Sequence, residues 1–143
     1  MLKEISKSMS IKADLNNLAE VSEFVRSTLS EGGLDEKFCN QIDIVVEEIF
    51  VNIASYAYSG EKGDAVVECK TEGDSAVLVF KDHGIEYNPL KKEDPVIGDP
   101  DNMTIGGYGI FMVRNIMDEV SYEYDEQSKE NILTMRKIKK ERQ

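Results

Sequence analysis

Three short stretches of this chain place polar groups where plain core elements would not need them. In residues 42–58, IDIVVEEIFVNIASYAY, Glu48, Asn52 and Tyr56 follow at i, i+4 and i+8. One helical turn apart, Glu48 and Asn52 project side by side. A carboxylate there can orient and deprotonate an attacking hydroxyl or water, an effect of about 10²–10⁴ in rate. An amide oxygen is a hard ligand suited to Mg²⁺, which takes few protein ligands and keeps several waters. Glu47 points about 100° away and falls outside that site. The second stretch is Asp82-His83-Gly84-Ile85-Glu86-Tyr87-Asn88-Pro89, at the end of an apolar strand pattern. An acid in that position can accept a hydrogen bond from an exocyclic amine such as that of adenine, and Gly84 lets a flat ring approach the backbone. His83, the chain's one histidine, has no partner nearby in sequence and reads as a loop residue, neither catalytic nor metal-bound. The third stretch, Gly106-Gly107-Tyr108-Gly109, opens a helical pattern. Backbone N–H groups at a helix N-terminus bind phosphate, and glycines allow close approach. The pattern is neither a Walker loop nor a dinucleotide fingerprint.

Taken singly, each stretch has an ordinary alternative: a solvated helix flank, an Asp-x-Gly turn, a flexible hinge. Taken together, and in this order, they meet the separate needs of a base, a metal, an adenine and a phosphate.

The elements that must position them are legible in outline. Ile42, Val45, Val46, Ile49 and Ile53 recur on one helix face, within about 60° of a common direction. Asp35 can cap that helix, which is expected to run to about Tyr58. Ile44 and Val51 lie opposite its core face, and a helix over Leu15–Leu29 is the expected cover, ahead of the alternative of a second subunit. That preceding helix has Asp14 as N-cap and stops at Gly32-Gly33. Residues 2–12 alternate loosely and predict an edge strand. Ala65–Thr71 and Ala76–Lys81 predict two strands joined by a tight turn at Gly73-Asp74. The second is apolar enough for mid-sheet. Residues 91–107 have no periodicity and form a long irregular loop, of a kind that is usually functional or mobile. A short helix with Ile110, Val113, Ile116 and Met117 on one face follows, then strands Val120–Tyr124 and Ile132–Lys137. Hairpin-linked strands with helices gathered to one side predict an α+β, two-layer sandwich with a mostly antiparallel sheet, in one domain over residues 1–143.

Composition sets outer limits. The chain of 143 residues carries 17 basic and 28 acidic side chains, a net charge of −11. Phosphate-backbone binding needs clustered Lys and Arg, so nucleic acid is excluded as a direct partner. The basic tail KIKKER reads as a solvated end. No apolar run approaches the roughly 20 residues of a membrane span. The first residues lack the apolar stretch of a signal peptide. Cys39 and Cys69 have no metal-ligand or redox spacing and read as reduced thiols of a cytoplasmic protein.

The three stretches and their order resemble the GHKL (Bergerat-fold, histidine-kinase-like) ATPase superfamily, and within it the small anti-sigma factor serine-protein kinases of bacteria. The pattern E-x-x-x-N-x-x-x-(H/Y)-A/G-Y is similar to Glu48–Tyr58, D-x-G-x-x-(F/Y)-N-P to Asp82–Pro89, and G-G-x-G-I-x-(L/M)-(V/I) with M-D-E-V to Gly106–Val120. The resemblance covers essentially the whole chain. It implies ATP and Mg²⁺ as cofactors. It implies Glu48 as the base that activates the attacking hydroxyl and Asn52 as the Mg²⁺ ligand. Asp82 would receive the adenine amine with Gly84 beside the ring, and Tyr87 and Asn88 would belong to the same nucleotide-binding motif. Gly106, Gly107, Tyr108 and Gly109 would lie at the phosphates, with residues 91–106 as a lid. It also implies homodimers made partly through the N-terminal strand, sequestration of a sigma factor, and phosphorylation of a serine on an antagonist (anti-anti-sigma, STAS-type) protein. Some members have histidine where Tyr56 stands, and some have arginine where Ile105 stands. The lid's basic residues are Lys91 and Lys92, both at its start. Because phosphoryl transfer is mostly positioning and charge stabilisation, a poorly cationic lid leaves open the alternative of a nucleotide-gated binding module with little or no transfer. A plain interaction domain whose acidic loop chelates Ca²⁺ is a third reading, disfavoured because DPDN lacks the spacing of a calcium hand.

Overall fold

The structure is a computed structural model that describes residues 2–59, 61, 63–91 and 107–140, with the backbone alone for 107 and 108. Strand β1 (Ile5–Lys12) leads through a 3-10 turn, Leu15–Asn17, into helix α1 (Leu18–Glu31) and then α2 (Glu36–Asn52). Strands β2 (Asp64–Glu72) and β3 (Ser75–Asp82) form a hairpin, and helix α3 (Gly107–Ile116) precedes the hairpin of β4 (Glu119–Asp125) and β5 (Glu130–Ile138). The five strands form one sheet in the order β1-β2-β3-β5-β4, with antiparallel pairing throughout. This is the expected antiparallel α+β sandwich, with β1 at one edge and β3 at the centre.

Local signals explain the boundaries. Asp35 accepts a hydrogen bond from Phe38 N at 2.9 Å and caps α2. Asp14 caps the 3-10 turn through Asn16 N, so α1 itself begins at Leu18, later than its capping signal suggests. Gly33 and Gly73 adopt positive φ (92° and 58°), where a side chain would be strained, and they end α1 and turn the β2–β3 hairpin.

The strands turn alternate residues inward under the helices. Leu78 pairs with Met135 and Phe80 with Leu133 across β3 and β5, and all four are buried. Ile42, Val45, Val46, Ile49 and Phe50 of α2 are buried against this face. Each such side chain contributes about 1.5–3 kcal/mol on burial.

Three expectations are corrected. Helix α2 stays α only to Asn52, and Ile53–Ala57 form a π turn. Ile44 is 42% exposed, so α1 does not cover it, and Val51 faces a cavity instead. The tail is not simply solvated: Lys137 is 8% exposed, with Nζ donating to Ile116 O at the end of α3 and lying 5.7 Å from the Phe38 ring centroid. Burial lowers the Lys137 pKa.

Candidate functional site

Beyond Phe80 and Leu133 the next inward-facing pair of the sheet is Asp82 and Asn131, directly opposite each other in the β3–β5 register. The apolar rungs of the core thus end in a polar one. Here a cavity of about 600 Å³ opens between the end of α2, the sheet and α3. Glu48, Asn52, Tyr56, Asp82 and Tyr87 share its wall with apolar side chains including Ile49, Phe80 and Ile110. A largely apolar pocket with a few convergent polar groups is the usual form of a small-molecule site.

Glu48 is half-buried and lies against the first turn of α3. A Cβ added at Gly109 would meet Glu48 Oε1 at 1.7 Å, so the absence of a side chain there makes room for the carboxylate. Gly107 starts α3, while residues 92–106 of the expected lid 91–106, Gly106 among them, lie outside the described residues, as does the side chain of Tyr108. Arg114 of the same helix donates to Leu90 O, tying α3 to the point where the lid begins.

Asp82 is 7% exposed. Its Oδ1 accepts from Gly84 N at 2.9 Å and from Asn131 Nδ2 at 3.0 Å. Oδ2 makes no hydrogen bond among the described residues, and Asp82 is part of the cavity wall. Burial raises the Asp82 pKa, opposed by those two hydrogen bonds. One carboxylate oxygen is thus locked and the other is free for a ligand's donor.

Two bridges join the π turn to the 82–85 loop. Ile85 N donates to Ala57 O at 2.9 Å. Tyr58 Oη accepts from His83 N at 2.9 Å and donates to Asp64 O at 2.5 Å. Gly84 is pressed into this junction, where a Cβ would lie 2.2 Å from Ala57 O. The close approach Gly84 makes here is to Ala57, and Gly84 is not part of the cavity wall. Nor is Asn88, whose Oδ1 accepts from Leu90 N at 2.9 Å and caps the 3-10 turn Pro89–Lys91. His83 lies outside the cavity: Nδ1 is 3.3 Å from Lys129 O, and Nε2 is 3.7 Å from Glu130 Oε2.

Sequence reasoning missed Asn131 and Tyr122, which both line the cavity. The signal for Asn131 was present: two residues before Leu133 and four before Met135, it had to share their buried face. A buried amide there requires partners.

Among the described residues, no three His, Cys, Asp or Glu side chains gather to hold a metal ion. A cation at Asn52 would rely on one amide oxygen, with water and phosphate oxygens completing its shell, a donor set that fits Mg²⁺. Cys39 and Cys69 are buried free thiols, and burial pushes Cys69 up to about 12, so neither is suited to chemistry here. No helix among the described residues is long and apolar enough to cross a membrane.

A family model for the histidine kinase-like ATPase domain matches residues 11–137, and the chain belongs to that family. Within it, the chain is similar to two proteins named serine-protein kinase RsbW, from Listeria innocua serovar 6a and Listeria monocytogenes serovar 1/2a. Each is 30% identical over 104 residues, covering 68% of this chain and 66% of the relative. The match therefore spans slightly under two thirds of those relatives' own length. The GHKL resemblance carried by the three motifs is borne out by the family match.

Proposed function

We propose that the chain binds ATP with Mg²⁺ in this cavity and acts as a protein serine kinase of the anti-sigma type. The observation that carries this reading is the convergence of Glu48 and Asn52, from the first stretch, with Asp82, from the second, on one cavity beside the start of α3. Asp82 Oδ2 accepts the hydrogen bond of the base amine, in a setting too buried for water to compete freely. Asn52 holds the cation through its amide oxygen. The backbone N–H groups at residues 107–109 face the phosphates. Glu48 accepts the proton of the incoming serine hydroxyl. Bound ATP with Mg²⁺ supplies the transferable γ-phosphoryl group and part of the charge neutralisation.

The partners under this reading are an anti-anti-sigma protein as substrate and a sigma factor as the sequestered target, in the cytoplasm. The chain acts as a homodimer, and the support is that β1 pairs with β2 on one side only, leaving its outer edge unpaired among the described residues. Incubation with labelled ATP, Mg²⁺ and candidate antagonist proteins from the same genome tests the activity. Label on a serine of one of them is the expected result. Label on none, with ATP binding intact, would favour the second reading, a nucleotide-gated binding module. That reading draws support from the place of the Glu48 carboxylate, in the room that Gly109 leaves at the first turn of α3, close to where phosphate would lie.

A further inference from the structure

Among the described residues, the Asn131 side chain makes more hydrogen bonds than that of any motif residue of the cavity, and none of the three motifs includes it. It is 7% exposed and begins the inward face of β5 opposite Asp82. Its Nδ2 donates to Asp82 Oδ1 at 3.0 Å and to Ile85 O at 2.9 Å, with Gly84 O at 3.4 Å. Its Oδ1 accepts from Tyr87 N at 3.1 Å and from Tyr122 Oη at 2.5 Å. The loop from 82 to 87 therefore wraps around this one amide, held at its start, middle and end.

The orientation of that amide is not free. Tyr87 N is a backbone donor and can bond only to an acceptor, so Oδ1 must face it. Nδ2 must then face Asp82. A flipped amide would set Oδ1 against the Asp82 carboxylate and leave a buried N–H facing an amide N–H. Tyr122 Oη adds a second donor on the Oδ1 side. The order of control runs from Tyr87 N and Tyr122 to Asn131, and from Asn131 with Gly84 N to Asp82 Oδ1. What remains is a single open oxygen, Oδ2, with its direction set.

We infer that Asn131, locked by Tyr122, is the positioning residue for base selection: it aims Asp82 Oδ2 so that the cavity prefers a purine carrying an exocyclic amine. This rests on the reading of Asp82 as the acceptor for the base. Asn131 has no capacity left for the ligand, since both ends of its amide are spent on protein partners. Its hydrogen bond also works against the effect of burial on Asp82, helping to keep the acceptor ionised.

The test is titration calorimetry of the full chain in Mg²⁺ with ATP and with purine riboside triphosphate, which lacks only the amine. Wild type is expected to prefer ATP by about ten- to hundredfold, the range for a hydrogen bond to a charged group. In Asn131→Ala the preference should fall to within about threefold, because the carboxylate is no longer aimed. The gain in affinity from AMP to ADP, read on the phosphate side, should stay as in wild type. Tyr122→Phe keeps the amide and the ring packing but removes one lock, and it serves where Asn131→Ala fails to fold. Its ATP preference should drop by about threefold or more. If both nucleotides weaken equally in the variants and the preference survives, Asn131 is only structural and the inference falls. If wild type itself shows no preference, the Asp82 reading fails first, and the two failures are told apart by the protein in which they appear.

Discussion

Replacing Asp82 with Asn separates what this residue does for ligand from what it does to the fold. In the variant, the side-chain oxygen can still accept from Gly84 N and Asn131 Nδ2, because both bonds go to Oδ1. The amide nitrogen then replaces Oδ2 and presents N–H donors to the cavity, where the base amine is also a donor. The lost bond is one to a buried charged acceptor, so ATP affinity should fall by about 1–3 kcal/mol, roughly 5- to 150-fold. The effect on stability has the opposite sign. Burial raises the Asp82 pKa above its ordinary 3.8, so the native state favours the protonated form. The stability this provides is complete below the unfolded value and is lost as pH rises through the raised native value. At neutral pH the ionised carboxylate is therefore a net cost that Asn does not carry. Thermal unfolding across acid to neutral pH should show the variant at least as stable as wild type at pH 7, with its advantage shrinking towards about pH 4. Calorimetry on the same samples should show the weakened ATP binding. Unchanged affinity would remove the base assignment, and a variant that unfolds well below wild type at pH 7 would mean that the charge itself supports the fold.

Two further substitutions test the other walls. Glu48→Ala should leave ATP affinity nearly intact and lower phosphoryl transfer to the antagonist serine by about 10²–10⁴; transfer at the wild-type rate in a single-turnover assay would make Glu48 a bystander. Gly84→Ala drives a Cβ to 2.2 Å from the Ala57 carbonyl, a backbone atom that cannot simply rotate away. Denaturant unfolding should show a loss of about 1–3 kcal/mol, typical of overpacking, and an undisturbed midpoint would show that the junction of the π turn with the 82–85 loop is loose.

Much of the scaffold was legible because it rests on local signals. Asp35, Gly33 and Gly73 each mark a boundary through their own side chain or φ, and the unbroken apolar run of residues 76–80 placed β3 at mid-sheet. The π turn was not legible: IASYA continues the helical spacing, and what accompanies the extra residue per turn is a tertiary contact, the Ala57 carbonyl meeting Ile85 N. The exposure of Ile44 was equally hidden, since it depends on where α1 crosses α2. That crossing is marked on the surface by Arg26, which donates to Asn40 at 2.8 Å and pairs with Asp43 at 3.0 Å. The motif residues of the site were readable as three stations, but their joining is a matter of strand register. Nothing in the spacing from Asp82 to Asn131 sets them side by side; the pairing of Leu78 with Met135 and Phe80 with Leu133 does.

That dependence explains why the site sits where it does. Along the inward face of β3 the sequence runs Ala76, Leu78, Phe80, Asp82, and along β5 in the reverse direction Lys137, Met135, Leu133, Asn131. Both strands are apolar in the middle and polar together at the one end where Asp82 meets Asn131. A slip of one residue in register would turn every inward apolar side chain outward, so the core fixes the alignment, and the alignment delivers Asn131 to Asp82. Helix α2 repeats the logic: Ile42, Val45, Val46 and Ile49 pin its rotation, which leaves Glu48 and Asn52 on the flank that meets the cavity. The polar groups are held in place by apolar packing one rung away. The Asp82–Asn131 pair, which carries the cost of burial, can therefore remain polar because its geometry is set by residues that gain from being buried.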